Sequence, residues 1–557
     1  MVGDGVKSAT LMDVTITGKD SGDSYGVYAR GGKVTLNMVT ISKVGVGVRV
    51  EKGVLIMNQG SVKGFTGTGV MVGDGVESAS LMGTTITGKG SGSTGVYARG
   101  GNVTLNMVNI SQVEMGVEVE KGVLIMNQGS VKGFTGTGVM VGEGVESAEL
   151  TRVMITGGGS GTGVYARGAE GMVMRLEGVT ISRVGTGVEV EKGTLIMNQG
   201  SVKGFTEYGV MVGEGVESAS LTGTTITGEG SGTGVYAVGG NVTLNMVNIL
   251  KVQTGVRVMG GKSLTITGGS VKGFTEYGVM VGEGVESASL MGTTITGKGS
   301  GYGIHAVGGN VTLSEVEISK VAMGVEVEKG TLIMNQGSVT DFAGTGVSVG
   351  SGVRSASLMG AKIMGDGKGT GVMMMGGDVM LNMVNILKVK TGVRVEKGML
   401  KILEGSVTEF TGTGVMVGSE VKSASLMGTT ITGDGKGTGV YAERGTNLTM
   451  MLENVTISGV GTGVRMMGGK SLTITGGSIK EVQTGIVMMK GESLMIRENS
   501  TINFMGEYGV YVGNGVTKAD LVRVMIEGNG KGTGTGIYAV GGNVMVSGGE
   551  IKRCKWG

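Results

Sequence analysis

Gly-Val or Gly-Ile dipeptides at a regular spacing give twenty-three anchors from Gly26 to Gly536, and the twenty-two intervals between them cover 510 residues, a mean of about 23. A coarser unit of 68 to 71 residues, marked by Val70, Val139, Val210, Val279, Val347 and Val415, is three of these intervals. Each anchor pair is followed by one of Tyr, Met, Glu, Arg, Ser, Val or His and then by Val, Ala or Met. Such period-two alternation with one apolar face is the pattern of a half-buried strand. Further apolar pairs follow in the same interval: Val103, Leu105, Ile110 and Val113 after Gly95, and Leu124, Met126, Val131 and Phe134 after Gly116.

Three short strands that all point apolar residues the same way can close only around a shared interior. One such coil cannot bury its face alone, so coils must stack, strand over strand, into continuous parallel sheets. The expected fold is therefore all-β, a right-handed parallel β-helix of 23 to 24 coils, each about 23 residues long with three short strands. The whole chain is one such helix built of three-coil repeats, 1–68, 69–137, 138–208, 209–277, 278–345, 346–413 and 414–508, with a partial repeat over 509–557. The repeat 414–508 holds one extra coil between Gly463 and Gly485.

Composition agrees. Gly supplies 119 residues and Pro none. Gly suits frequent turns, and Pro would remove a ladder donor from every central strand. Helix is disfavoured by the same Gly and Val content. Charge is balanced, 47 basic against 45 acidic residues, with neither sign gathered into a block along the sequence. A nucleic-acid or acidic-membrane partner would call for a basic stripe, so neither is expected. The single cysteine, Cys554, excludes an intramolecular disulfide framework and a multi-cysteine metal site. No apolar run is long enough for a transmembrane helix, and the first residues lack the basic-then-apolar form of an export signal.

All seven Phe (Phe65, Phe134, Phe205, Phe274, Phe342, Phe410 and Phe504) fall once per triplet in the last inward slot. They read as core, with the Ala of the preceding coil (Ala29, Ala98, Ala166, Ala237, Ala306, Ala442) as the compensating small residue. Cys554 occupies the same slot and reads as a buried apolar thiol. Tyr28, Tyr97, Tyr165, Tyr236, Tyr441 and Tyr538 take the outward position of the first strand, where His305 and Met373 replace Tyr in two triplets. One Tyr per three coils predicts an exposed file at a spacing of roughly 14 Å. Such a file could stack on sugars or dock a protein, or it could hold good strand formers and nothing more. Asn106 and Asn127 predict a polar ladder between the second and third strands. The Thr84, Thr85 and Thr87 cluster, repeated near 224, 293 and 429, is too sparse for an ice-binding array.

Catalytic chemistry is not legible. One histidine, His305, forbids a His-based metal cluster, and it sits in a repeated outward slot. Asp74, Asp341, Asp366 and Asp434 are isolated, whereas Glu77, Glu146, Glu217 and Glu286 recur with the repeat as a solvated face. The Gly261-Lys262-Ser263 and Gly469-Lys470-Ser471 segments lack the earlier Gly and the strand-to-helix context of a phosphate-binding loop. No enzyme, cofactor or metal is expected.

The coil Gly-Val-Tyr-Ala-x-Gly-Gly-Asn-Val-Thr-Leu at Gly234 to Leu244 resembles bacterial autotransporter passenger domains of the pertactin-like, pectin-lyase-like β-helix group. The coil Gly-Val-Glu-Val-Glu-Lys-Gly-Thr-Leu-Ile-Met at Gly187 to Met197 does so too. The resemblance implies export, display at the cell surface or outer membrane or secretion, and adhesion to a host cell-surface or matrix protein or glycan. It equally implies release as a factor acting on a host receptor. In that plan the chain is a monomeric passenger segment without its signal and translocator barrel, and is not itself membrane-inserted. Near-identical stretches such as Ser201 to Ser218 and Ser270 to Ser287 fit a duplicating, variable surface antigen. A polysaccharide lyase or hydrolase, and a pure spacer, are the competing readings.

Overall fold

The computed structural model describes residues 1–20, 22–530 and 533–554, so residues 555–557 of the partial last repeat lie outside the described residues. Among the described residues no helix occurs, and the fold is a parallel β-solenoid of about 24 coils with about 23 residues per turn. Contacts divide the chain into two compact units, Met1–Thr275 with Gly284–Glu286, and Glu276–Glu283 with Ser287–Gly557. Each is a stack of coils in which a strand pairs in parallel with its equivalents one coil before and one coil after, as Val27 with Val48 and Val48 with Val70. Three separate short strands, the sequence expectation, hold in coils such as those that begin at Gly26, Gly234 and Gly371. In many others the ladder continues around the corners, so that Thr180–Asn198 and Ser201–Thr222 run as single bent strands of 19 and 22 residues.

Register places like residues over like. Leu36, Met57, Leu81, Leu105, Met126 and Leu150 form one inward column, each at most 1% exposed. Burial of such a side chain contributes about 1.5–3 kcal/mol, and a one-residue slip would turn every one of them outward, so the register is strongly specified. The anchor glycines have a steric cause. A Cβ on Gly47 would lie 2.3 Å from the carbonyl oxygen of Gly69 and 2.3 Å from Val62 Cγ1, and one on Gly116 would lie 2.2 Å from the carbonyl of Gly138. Each anchor thus packs bare backbone against the anchor of the next coil.

The phenylalanines are buried core, as expected, but the small residue registered against each ring is glycine and not the alanine proposed from sequence. Val184, Phe205 and Gly228 follow one another in a single column, as do Val321, Phe342 and Gly365. The ring spreads into the slot of the following coil: a Cβ on Gly157 would meet Phe134 Cζ at 3.2 Å, Arg183 O at 2.6 Å and Val184 Cγ1 at 2.9 Å. This Val-Phe-Gly cycle is the physical content of the three-coil period. The extra coil repeats its valine, giving Val460, Val482, Phe504, and so keeps the phase. Cys554 lies near the matching slot, with its sulfur 3.4 Å from the Cβ position of Gly536. It is half-buried and not enclosed as expected. Its thiol donates to the Lys552 carbonyl at 3.1 Å, and burial pushes its pKa up.

Asn106 and Asn127 do form a ladder, Nδ2 of Asn127 donating to Oδ1 of Asn106 at 2.9 Å, as Asn58 does to Asn37. The pairs end the second strand, and Met82 and Thr151 break the ladder between and beyond them. Thr84, Thr224, Thr293 and Thr429 point inward, at most 1% exposed, each hydroxyl donating to the carbonyl two residues earlier.

Gly157→Ala should destabilise the protein by about 1–3 kcal/mol through overpacking. Its neighbour Gly158→Ala, whose Cβ would meet only Phe134 O at an ordinary 3.5 Å, should melt like the parent. Equal melting temperatures for the two variants would refute the Val-Phe-Gly packing.

Candidate functional site

The outward slot of the first strand is a continuous in-register column. From Tyr28 it runs Arg49, Met71, Tyr97, Glu118, Met140, Tyr165, Glu189, Met211, Tyr236 in the N-terminal unit. In the C-terminal unit Tyr441 is followed by Arg465, Val487, Tyr511 and Tyr538. Two features differ from the file expected from sequence. Tyr28, Tyr97, Tyr165, Tyr236 and Tyr441 are half-buried: a methionine and a charged residue of the adjoining coils are registered on either side of the last four, and Arg49 and Tyr25 lie against Tyr28; of the six only Tyr538, at 44%, is widely exposed. The one-in-three spacing also fails at Tyr511 and Tyr538, which lie in consecutive coils.

Sequence reasoning missed half of the tyrosines. Tyr25, Tyr208, Tyr277, Tyr302 and Tyr508 each precede an anchor glycine and stand three residues before the main column, on the same outward face, and Tyr511 is in the column itself. Alternation counted from the anchor would turn the residue before the glycine inward; it faces outward because alternation breaks at the anchor, where the glycine's Cβ position also faces the core, that of Gly26 meeting Ile41 Cγ2 at 2.4 Å. All twelve tyrosines of the protein therefore lie on the first-strand sheet. They gather into clusters. Tyr25 stacks on Tyr28 with centroids 5.2 Å apart, Tyr208 on Tyr236 at 5.1 Å, and Tyr508, Tyr511 and Tyr538 form a trio at 5.2 to 5.6 Å.

Ionic partners hold the rings. The Tyr97 hydroxyl donates to Glu120 Oε1 at 2.5 Å while the Arg99 guanidinium lies 5.6 Å over the ring. Tyr165 repeats the arrangement with Glu191 and Arg167. Arg49 lies over both Tyr25 and Tyr28 and donates to Glu51 at 2.6 Å. Burial, and then the bond to Glu120, raises the Tyr97 pKa against the opposing Arg99. In the column itself, burial followed by the charge of Glu120 holds the Glu118 carboxyl above the usual range; Glu189 is raised likewise, by burial and then by Glu191 and Glu207. Glu118, Glu120, Glu143, Lys121 and Arg167 line a shallow polar cleft of about 270 Å³ beside the tyrosines.

His305 takes the place of a tyrosine. It stacks on Tyr277 at 5.5 Å and Tyr302 at 5.2 Å, and its Nε2 lies 2.9 Å from Glu328 Oε1. Met373, the other replacement, is registered between Ser348 and Arg394. Asp366 and Asp434 cap their own turns, accepting from the backbone N–H of Lys368 and Lys436 at 3.0 and 3.2 Å. Among the described residues no group of three or more His, Cys, Asp or Glu could hold a metal ion. Gly261-Lys262-Ser263 lies inside the extended strand Thr254–Thr267, not ahead of a helix.

The raised carboxyls give a pH signature. Between the ordinary Glu value of about 4.3 and the raised folded value, the folded state binds more protons than the unfolded state, so stability falls as pH rises through that window. Glu118→Gln and Glu189→Gln should therefore raise the melting temperature at pH 7 and change it less at pH 4. A shift that is the same at both pH values would refute the assignment.

A family model described as right handed beta helix region matches residues 370–523 and 413–557. No curated protein and no solved structure matches the chain. With parallel ladders, about 23 residues per turn and this match in its C-terminal part, the fold of the chain is a β-solenoid of the right-handed type.

Proposed function

We propose that the chain is a non-catalytic β-helical binding scaffold, displayed at or released from a bacterial surface, that engages a host cell-surface or matrix protein or glycan through its first-strand sheet. The observation that carries this reading is the confinement of all twelve tyrosines to that one sheet, in stacked clusters edged by Arg and Glu. Strand propensity alone would place tyrosine outward on any of the three sheets. Half-buried rings with fixed neighbours lose little freedom on binding and present both an apolar face and a polar edge. The autotransporter resemblance supports display outside the cell, and a variable antigen or receptor-directed factor would use the same surface.

A carbohydrate-active enzyme is the second reading, favoured by one feature: a raised carboxyl, Glu118, beside Glu120 and Arg167 in a cleft. General acid–base cleavage of a polysaccharide uses carboxyls whose environments separate their pKa values.

Changing Tyr28, Tyr97, Tyr165, Tyr236, Tyr441 and Tyr538 to Ser should reduce binding of the purified protein to host cells and matrix at least about tenfold, the loss of roughly 1.4 kcal/mol or more. Unchanged binding would remove the tyrosine face from the proposal. Incubation with uronic-acid polymers should release no reducing ends; release that Glu118→Gln abolishes would establish the enzymatic reading instead.

A further inference from the structure

We infer that the third-strand face of the N-terminal unit is a second binding surface, for an extended polyanionic polysaccharide of the sulfated class. The balanced charge along the sequence hid this face, because coiling sorts residues by their place in the repeat. One outward column of the third strand is registered without a break from Ser42 to Lys272. It carries Lys63, Lys132, Lys203 and Lys272, with Ser or Thr, and once Leu250, between them. Every third coil thus presents a lysine, at a spacing of roughly 14 Å. In three of these places the preceding coil adds a second base in the turn just after the column, Lys43, Arg183 or Lys251. The Lys43 N–H donates to the Lys63 carbonyl at 3.1 Å, and the Lys251 N–H to that of Lys272 at 3.1 Å, so each turn base stands beside the lysine of the next coil. All seven side chains are exposed.

The neighbouring outward column, Thr40 to Ser270, is Ser, Thr and Asn apart from Met154. Its groups are already ordered by bonds between coils, Ser130 to Asn109 and Ser270 to Asn248 at 2.8 Å. Over these eleven coils neither column nor the turn position beside them holds a carboxylate. The nearest acids lie in the following turn: Glu114 is engaged by the Gly92 N–H, Asp20 by Lys89, and Glu229 alone comes close, its Oε1 3.3 Å from the Cβ position of Gly204 beside Lys203. The fold does not force this segregation. In the C-terminal unit the same positions hold Glu317, Asp341, Glu409, Glu481 and Glu527.

Regularly spaced cations on a flat bed of hydroxyls and amides complement a linear polymer that carries anionic groups and hydroxyls together. Single-stranded nucleic acid fits less well, because stacking platforms are its usual anchor and every tyrosine lies on another sheet. A lipid surface fits less well because the face offers only Met154 and Leu250 to the acyl region.

The test is affinity for size-defined heparin at 0.15 M salt, for the full chain and two variants of equal charge. Lys63, Lys132, Lys203 and Lys272 changed to Gln should weaken binding at least about tenfold and lower its salt dependence. Lys33, Lys52, Lys192 and Lys262, exposed on other parts of the same unit, changed to Gln should bind like the parent. Equal loss in both variants, or no loss in the first, would overturn the inference. So would tighter binding of the parent to single-stranded DNA or to anionic phospholipid vesicles than to heparin. The Tyr-to-Ser variant should keep its heparin affinity, which separates this surface from the tyrosine face.

Discussion

Bare backbone lying on bare backbone is the contact on which the coils depend. The glycine of one coil lies so close to the carbonyl of the next anchor that an added Cβ would fall 2.2 Å from that oxygen at Gly116 and 2.3 Å from it at Gly47. Parallel strands must lie about 4.8 Å apart for their ladders to form. A side chain at the anchor would have to push the corner open and break the ladder on either side of it. The glycine therefore recurs once per coil, and everything else in the coil is counted from it.

Stacking at fixed register has two consequences, one inside and one outside. Inside, each slot becomes a column whose volumes must sum correctly over neighbouring coils. The Val-Phe-Gly cycle meets that demand with a period of three, and the inserted coil is accommodated by repeating the smallest change, a valine. Outside, the same arithmetic turns a residue that recurs every third coil into a line of like groups. Tyrosines become clusters on one sheet and lysines a spaced row on another, without any local enrichment along the sequence.

Much of the architecture was legible for this reason. Period-two alternation and the 23-residue spacing identify the coil, and the single-slot phenylalanines identify the core, because in a solenoid position in the repeat is position in space. What misled was distance along the chain. Ala29 and its equivalents seemed the natural counterweight to the rings, yet the residue registered against a ring is the glycine some 23 positions later. The tyrosine file was expected to be bare, but Tyr97 and Tyr165 are tied to Glu120 and Glu191 in the following coil. The five tyrosines before the anchors were not legible, because alternation counted from the glycine turns that position inward, whereas alternation breaks at the anchor.

By itself the sequence determined the fold class, the coil length, the inward columns and the sheet on which the tyrosines two residues after the anchors lie, since each follows from periodicity, which is a one-dimensional property. Only the tertiary structure decided how exposed those tyrosines are, which charges accompany them, and that lysines of the N-terminal unit stand in a row on the third-strand face. Those facts depend on which residues of successive coils become neighbours. Residues about 23 apart in sequence meet at the spacing of a single ladder, while the turns, whose lengths vary, set the exact pairing.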